Sequence, residues 1–540
     1  MSSTPEATTT AAPRDGRARW AAMPFIAMGV AMIIVDATIV NVAVPVIIRN
    51  LHISEVGAEW LNSIYSLVFA ALLISFGFAG DAIGRRRMFL LGTSIFVLAS
   101  LVSATASSGG VLILGRALQG VGGAMILPAT LATVNVLFSG KERAIAFAIW
   151  GSTIGVFGAL GPLFGGLLTT EISWRWAFLV NLLIGAIIVI GILRFVPETG
   201  GRGARPRLDL AGNGLVALAF AGLVFGLIEG GTYGWWQQAA RLQVGSLRWP
   251  AGWISPVPVA LALGVLGLIA FVLREARRLR RGAATLVDLS LFRIRSFAAG
   301  LSAIFVVSLG EFGILFVLPL FLEGVRRYTA VHTGVVLLAI ALGTLFAGGM
   351  TPQLARLVGA RGIARFGLLF EAVGLLGLGL FISRTVGAWT LVPWLAAYGV
   401  GLGMASAQLP GVILAEIPMA RSGQASGIQS TIRQVGSAFG IAVLGTLFAS
   451  QISSRTERAV HAAGIPAATA HQVAALVRGS GGAALHTLGA LPHGQLLLSA
   501  ASSAVADATS FVSLVAAGFI AIGLIATLLL PRGAEAALEG

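Results

Sequence analysis

The stretch Gly77-Phe78-Ala79-Gly80-Asp81-Ala82-Ile83-Gly84-Arg85-Arg86-Arg87 decides how the rest of this 540-residue chain is read. It is a short charged break between two apolar runs, 61–80 and 88–107. Its glycines allow a tight turn and close approach of neighbouring helices. Its arginines mark a segment retained on the positive side of a bilayer. Asp81 can pair with a nearby Arg, or sit on the positive N-terminus of a helix elsewhere in the chain. A contact of that kind forms in one conformation and breaks in another, as a gate latch does.

The composition agrees with a membrane setting. Hydrophobic residues make up 57% of the chain and charged residues only 11%, against about 25% charged in an ordinary soluble domain. Too few charges are present to cover a soluble surface. A soluble enzyme, a disordered chain and a secreted disulfide scaffold are all excluded, the last also by the absence of Cys. Apolar windows of about 20 residues give fourteen helical spans rather than barrel strands. They fall near 21–47, 61–80, 88–107, 111–137, 144–168, 176–196, 211–230, 255–273, 297–322, 332–351, 364–382, 389–414, 425–449 and 510–530. The formal charge of +15 would suggest nucleic acid in a soluble protein. Here 23 of the 36 basic residues fall on the side that holds both termini and 10 on the other, which makes that side cytoplasmic.

A second version of the opening motif, Ala355-Arg356-Leu357-Val358-Gly359-Ala360-Arg361, follows the tenth span. Both copies put a charged residue three before a Gly and an Arg two after it. The chain then reads as six plus two plus six, and duplicated halves meeting at a midplane site are the architecture of secondary transporters. The expected organisation is a disordered cytoplasmic tail at 1–19, a six-helix bundle at 20–197 and two inserted spans at 198–274. A basic loop at 275–296 and a second bundle at 297–531 follow, the latter with a long outside loop at 451–509, and a short tail occupies 532–540. The Trp-rich outside loop 231–254 reads as an interfacial anchor.

Three further motifs carry chemistry. Arg116-Ala117-Leu118-Gln119-Gly120-Val121-Gly122-Gly123 places a guanidinium inside the fourth span, where an unpaired charge costs several kcal/mol. Gly151, Gly155, Gly158, Pro162 and Gly165 recur every three or four residues along the fifth span, with Gly161 and Gly166 beside them. They form a smooth stripe for close packing, and Gly161-Pro162 can kink it. Asp36-Ala37-Thr38-Ile39-Val40-Asn41 puts a carboxylate halfway along the first span, with Asn41 about 140° round the helix from it. A midplane carboxylate is expensive as an ion, so it is a default candidate for proton exchange. The six His show no ligand spacing, and no nucleotide-binding loop, metal cluster or nucleophile–base set is found. Neither an enzyme nor a bound cofactor or metal is expected.

These segments resemble the motifs of the major facilitator superfamily, specifically its fourteen-span drug:proton antiporters of the multidrug-export type. Trp60 with Tyr65, Trp174-Arg175-Trp176-Ala177-Phe178 with Asn181, Ser426-Gly427 and Arg433-Gln434-Val435-Gly436 add to the resemblance. It covers residues 20–450 and the span 510–530. Glu323 and Leu183 depart from it, standing where relatives often have Gln and Pro. The resemblance implies that Asp36 couples to protons and that Arg116 modulates the coupling. It makes Gly77, Asp81, Gly84, Arg85, Arg86 and Arg143 the cytoplasmic gate and the glycine stripe with Pro162 the antiporter hinge. Glu311, midway along the ninth span, borders the superfamily's central cavity and is a second proton candidate; Glu371 falls on a peripheral span and ranks lower. Asn41, Tyr65, Phe69, Gln119, Trp150, Phe157, Phe305, Phe312, Phe316 and Tyr398 are candidate cavity walls, aromatic faces being attractive to cations. The function implied is a monomeric exporter in the bacterial inner membrane that exchanges protons for amphipathic, cationic drugs. A dedicated exporter of one metabolite, antibiotic or lipid, or a non-transporting sensor, are the alternatives.

Overall fold

The computed structural model describes residues 16–528 except 54, 200–209, 245–246, 251, 282–284, 286, 480 and 483. Both expected tails and the arginines at 202, 205 and 207 lie largely or wholly outside the described residues, as do the side chains of Asn41 and Pro162.

Helices dominate. In chain order they are α1 (Gly16–Leu51), α2 (Glu55–Ile83), α3 (Arg85–Ala104), α4 (Gly109–Leu137), α5 (Gly140–Glu171), α6 (Trp176–Phe195), α7 (Leu210–Ile228), α8 (Gly230–Tyr233), α9 (Pro256–Arg280), α10 (Arg295–Gly324), α11 (Ala330–Phe381), α12 (Ala388–Leu414), α13 (Ser422–Ala462), α14 (Ala467–Gly479), α15 (Leu485–Leu488) and α16 (Gly494–Leu528). One hairpin, β1 (Gln243–Val244) with β2 (Leu247–Arg248), lies in the Trp-rich loop. Among the described residues, 13 helices are long and apolar enough to cross a membrane, and 14 if the bent α5 is one span. Two of these lie within α11, which breaks at Gly359 with φ 70°. Gly84, its counterpart in the first copy of the repeated motif, has φ 115° and separates α2 from α3. Both glycines occupy backbone positions that a side chain disfavours, which is why the motif needs Gly there.

The packing is inverted relative to a soluble protein. Asp36, Arg116, Glu371 and Asn181 are buried, while Leu98, Leu183, Ile190, Leu218, Leu263 and Leu380 are exposed. That is the pattern of a bundle whose solvent is lipid. The first bundle packs α1 on α5 and α6, α2 on α4 and α3 on α4 and α6; the second packs α10 on α13 and α16 and α11 on α12. The inserted helices α7 and α9 pack together, and α7 lies against α2. Across the halves, α5 meets α11 and α12 while α2 meets α13.

The expected loop 451–509 is mostly helical. α13 runs on to Ala462 and α16 starts at Gly494. Ile452, Thr456 and Val460 recur every fourth residue and are buried; Val473, Val477, Leu497, Ala501 and Val505 are buried beside them. The Ala-, Gly- and Ser-rich segment reads in sequence as a loop with some amphipathic helical character, and the buried stripe at that spacing is how such helices pack. In the loop 231–254, Trp236 and Trp253 are exposed, as interfacial anchors would be. Trp60 donates its indole N–H to Tyr233 Oη at 2.9 Å and ties this loop to α2.

Candidate functional site

Asp36 has no exposed surface. Arg116 of α4 pairs with its Oδ2 through Nη1. Gln119, one turn along the same face, donates Nε2 to Asp36 Oδ1 at 2.7 Å, and Asn181 of α6 donates Nδ2 to the same oxygen at 2.7 Å. Ser100 Oγ on α3 accepts from both amides, at 2.8 and 3.2 Å. Arg116 also donates Nε to the Leu61 carbonyl at 3.1 Å and Nη1 to Gln119 Oε1 at 2.9 Å. Its guanidinium lies 4.4 Å from the centroid of the Tyr65 ring. Five helices thus converge on one carboxylate. Removing one partner of such a pair costs about 3–5 kcal/mol, because it strands a buried charge.

Glycines make the convergence possible. A Cβ on Gly120 would sit 2.8 Å from the Tyr65 carbonyl, and one on Gly122 would sit 2.7 Å from the Gly92 carbonyl. α4 therefore approaches α2 and α3 closely enough for Arg116 to reach both Tyr65 and Asp36. Gln119 and Tyr65, expected in the cavity wall, belong to this network. Ser100 and Asn181 were not among the expected site residues. In the sequence Asn181 figures only as part of the resemblance, with no role; Ser100 carries no local signal.

In the second half, Glu311 on α10 pairs with Arg433 on α13 at 3.3 Å. Arg433 lies 5.8 Å from the Phe312 ring centroid, and the Tyr398 hydroxyl of α12 donates to the Glu311 carbonyl at 3.5 Å. Arg433, which figures in the sequence as part of a resemblance-bearing motif without a partner, is thus the partner of the second buried carboxylate.

At the basic end the residues expected to form a latch meet the other half. Asp81 at the end of α2 accepts the backbone N–H of Gly423 at 2.9 Å and of Gln424 at 2.8 Å, at the N-terminus of α13. Arg85 donates Nη2 to Asp81 Oδ1 at 2.7 Å and to the Met419 carbonyl at 2.9 Å. A carboxylate on helix-terminal amides of the other half is a charge-assisted, dipole-favoured contact. Gly77 allows it: a Cβ there would sit 2.7 Å from the Gly423 carbonyl and 2.8 Å from Gly427 Cα. Arg86 instead binds the Leu193 carbonyl at 2.6 Å, within its own half. Glu198 accepts the N–H of Arg86 and Arg87 at 3.2 and 3.3 Å and packs against Gly84. Arg143 is buried near the start of α5.

The glycine stripe of α5 divides its contacts. Gly151 and Gly155 face the other half, against Ser406 and Thr344, whereas Gly158 and Gly161 face Ile34 and Thr38 of α1. The helix bends by 45° between Glu142–Gly158 and Leu163–Thr169, where Gly161-Pro162 was expected to kink it. Gly165 and Gly166 are buried beyond the bend, and the Gly165 carbonyl accepts from Thr169 Oγ1.

The remaining wall candidates scatter. Trp150 is buried and donates Nε1 to Thr130 Oγ1 at 3.2 Å. Phe157 is partly buried against a cluster that includes Val35 and Ile39, and Phe316 is 44% exposed. Phe69 stacks on Tyr65, and Phe305 meets Phe439 edge-on. A cavity of about 440 Å³ lies at the end away from the latch, lined by Arg384, Arg455, Ser499, Ser503 and Asp507 among others; it shares no residue with the expected wall. Among the described residues no cluster of His or carboxylates could hold a metal.

Comparison with known proteins gives a coherent picture. The family model described as Major Facilitator Superfamily matches residues 26–441. The chain is 34% identical over 466 residues to "Multidrug resistance protein Stp" of Mycobacterium tuberculosis, covering 86% of this chain and 82% of that one. It is 33% identical over 459 residues to the "Probable actinorhodin transporter" of Streptomyces coelicolor, covering 84% and 76%. It is 30% identical over 480 residues to "Multidrug efflux pump LfrA" of Mycolicibacterium smegmatis, covering 88% and 89%. Among solved structures, the human organic anion transporter MFSD10 (TETRAN) aligns with a TM-score of 0.59 at 13% identity, over 94% of this chain and 99% of that one; it speaks for the fold alone.

Proposed function

Because the chain belongs to the major facilitator superfamily, we propose that it is a proton-coupled exporter of amphipathic, cationic compounds working by alternating access. It is a multi-pass transporter, not an enzyme. In this reading it acts as a monomer in the bacterial inner membrane, with both termini and the latched end in the cytoplasm. The observation that carries the reading is Asp36, a carboxylate within the membrane span held by Arg116, Gln119 and Asn181. Relatives named for multidrug resistance and multidrug efflux support the cargo class.

The network supports the following mechanism. A proton arriving on Asp36 neutralises the partner of Arg116. The guanidinium is then left with the Leu61 carbonyl, Gln119 and the Tyr65 ring. That rearrangement strains the seam of α1, α4 and α6, and it lowers the attraction of the site for a cation. The latch between Asp81 and α13 sets which end is shut, and the bend in α5 lets the halves rock. The energy source is the proton gradient, with no cofactor.

The test is ethidium efflux from everted vesicles under an imposed pH gradient, with an uncoupler as control. Asp36→Asn should abolish gradient-driven transport while the protein still folds. Transport retained with full pH dependence in that variant would sink the assignment. A second reading, export of one dedicated compound, is favoured by the relative named for actinorhodin. Well-folded wild type that moves no ethidium would shift the weight to it.

A further inference from the structure

We propose that Glu371 is a second proton-binding group of this transporter, exchanging its proton with Glu311 as Arg433 moves between the two carboxylates. Glu371 lies in the second span of α11, on the element that ranked as peripheral in the sequence. It has no exposed surface, and neither carboxyl oxygen has a hydrogen-bond partner among the described residues. It is therefore unlike Asp36, whose oxygens are fully engaged, and unlike Glu311, which has Arg433. An ionised carboxylate enclosed in a bundle without a partner is too costly to persist, and the neutral acid is the form such a place tolerates.

The surroundings supply a partner for exchange. A Cβ on Gly401 of α12 would meet Glu371 Cγ at 2.6 Å, so Gly401 leaves the space that the side chain occupies. One turn earlier on α12, Tyr398 reaches the Glu311 carbonyl, and its backbone N lies 2.6 Å from where a Cβ on Gly374 would be. The short stretch Tyr398–Gly401 thus spans from the Glu311 backbone on α10 to Glu371 on α11, so that the two residues flank one seam. Glu311 and Arg433 are the charged groups within electrostatic reach of Glu371, from α10 and α13, and Tyr398 faces it from α12. On α16, the charged Asp507 pairs instead with Arg455, at 3.4 Å. On α5, also packed against α11, the described charges Glu142, Arg143 and Glu171 sit at the helix ends.

The step balances. The Glu371 carboxyl gives its proton to the Glu311 carboxylate; Glu311 becomes the neutral acid and Glu371 the carboxylate. Arg433 follows the negative charge, so the seam holds one proton and one ion pair before and after. The proposal rests on the proton-coupled reading above, but its first test does not need the cargo.

Infrared difference spectra of the full-length protein in lipid vesicles, recorded between two pH values, report the carbonyl stretch of a protonated carboxyl group. Wild type should show a titrating band that Glu371→Gln lacks and that Glu371→Asp restores at a shifted position. An unchanged band in Glu371→Gln overturns the proposal. The second test is ethidium transport in proteoliposomes. Glu371→Gln should still equilibrate ethidium downhill, while gradient-driven accumulation drops by about tenfold or more. Weakened ethidium binding with proton uptake intact would make Glu371 a cargo counter-ion instead and overturn the proposal. Glu371→Gln behaving as wild type while Asp36→Asn is inactive removes this inference and spares the Asp36 reading; the reverse does the opposite. If Glu371→Gln does not fold, Glu371→Asp decides through the presence or absence of its shifted band.

Discussion

Replacing Asp81 by Asn should open the latched end. Two of the bonds that Asp81 makes join the halves, those from the N–H of Gly423 and Gln424. The Arg85 bond lies within one half and does not count toward closure, although Arg85 itself reaches Met419 across the seam. A hydrogen bond to a charged group is worth about 1.5–3 kcal/mol and a neutral one about 1 kcal/mol. Asn keeps one acceptor, so one cross-seam bond weakens to the neutral value. The other N–H then faces an amide NH2 and is lost. Together these remove about 2–5 kcal/mol from the closed state alone. At 1.4 kcal/mol per factor of ten, the population shifts roughly 30- to 4,000-fold toward the form open at this end. The assay uses an advantage of the chain, which has no Cys. Spin labels on Arg87→Cys and Met419→Cys, both at exposed positions, report the separation of the two rims by double electron–electron resonance. The long-distance population should rise strongly in Asp81→Asn. An unchanged distance distribution in a folded, labelled protein would refute the argument that these two amides hold the end shut.

Gly77→Val should act in the same direction, because its side chain collides with backbone at Gly423 and Gly427; the same labels should show opening, and its effect should not add fully to that of Asp81→Asn. Asn181→Leu removes one donor to Asp36 and leaves Ser100 with one partner fewer; thermal unfolding should show a loss of about 1–3 kcal/mol, with transport impaired more than stability. Gly401→Ala should destabilise by about 1–3 kcal/mol through overpacking on Glu371, read as a lowered Tm. Asp288, in the basic loop outside the spans, is buried enough for burial to oppose its charge, yet the Ser290 and Arg421 contacts win and hold it below its usual value. Its stabilising contribution is therefore present above about pH 4 and is lost as pH falls through the depressed value. Hydrogen exchange at Leu289–Arg293, corrected for intrinsic rate, should stay slow down to that range and quicken only below it.

The elements that one helix or one loop dictates were legible in the sequence. Apolar runs set the spans because lipid demands satisfied backbone over a fixed thickness. The Gly84 and Gly359 breaks were legible because a positive φ restricts the residue type. Asp81 on a helix N-terminus was legible because few partners suit a carboxylate at that depth. What the sequence did not show depends on how helices are rotated against one another. Arg116 had to have a partner, but nothing local says that Ser100 and Asn181 complete the shell around Asp36. Likewise Arg433 and Glu311 are 122 positions apart, and only the crossing of α10 and α13 makes them a pair. The stripe on α5 lies along one line of the helix, yet Gly151 and Gly155 pack on the other half while Gly158, where the bend starts, and Gly161, within it, pack on α1.

That division sets α5 between α1 and the second half. Thr38, against which Gly161 packs, lies two residues from Asp36 on α1. Thr344, against which Gly155 packs, lies in the first span of α11, before the break at Gly359. α5 therefore touches the helix of Asp36 at its bend and the second half just ahead of it. A change at Asp36 that moves α1 should displace α5 at Gly158 and Gly161, and a glycine surface lets the helices slide there without a barrier from interlocking side chains. The near segment stays docked on Thr344 and Ser406, so motion is taken up at the bend. Gly158→Leu offers the sharpest test of this coupling. Its nearest neighbour, Ile34 Cγ2, stands 3.8 Å from a Cβ, so the variant has room for the first carbon and fouls α1 only with the rest of the side chain. The fold should survive with little loss of Tm, while the rim distance across the latch should stop responding to Asp36→Asn. A rim that still responds in Gly158→Leu would mean that the signal from Asp36 reaches the other half through α2 and α13 rather than through α5.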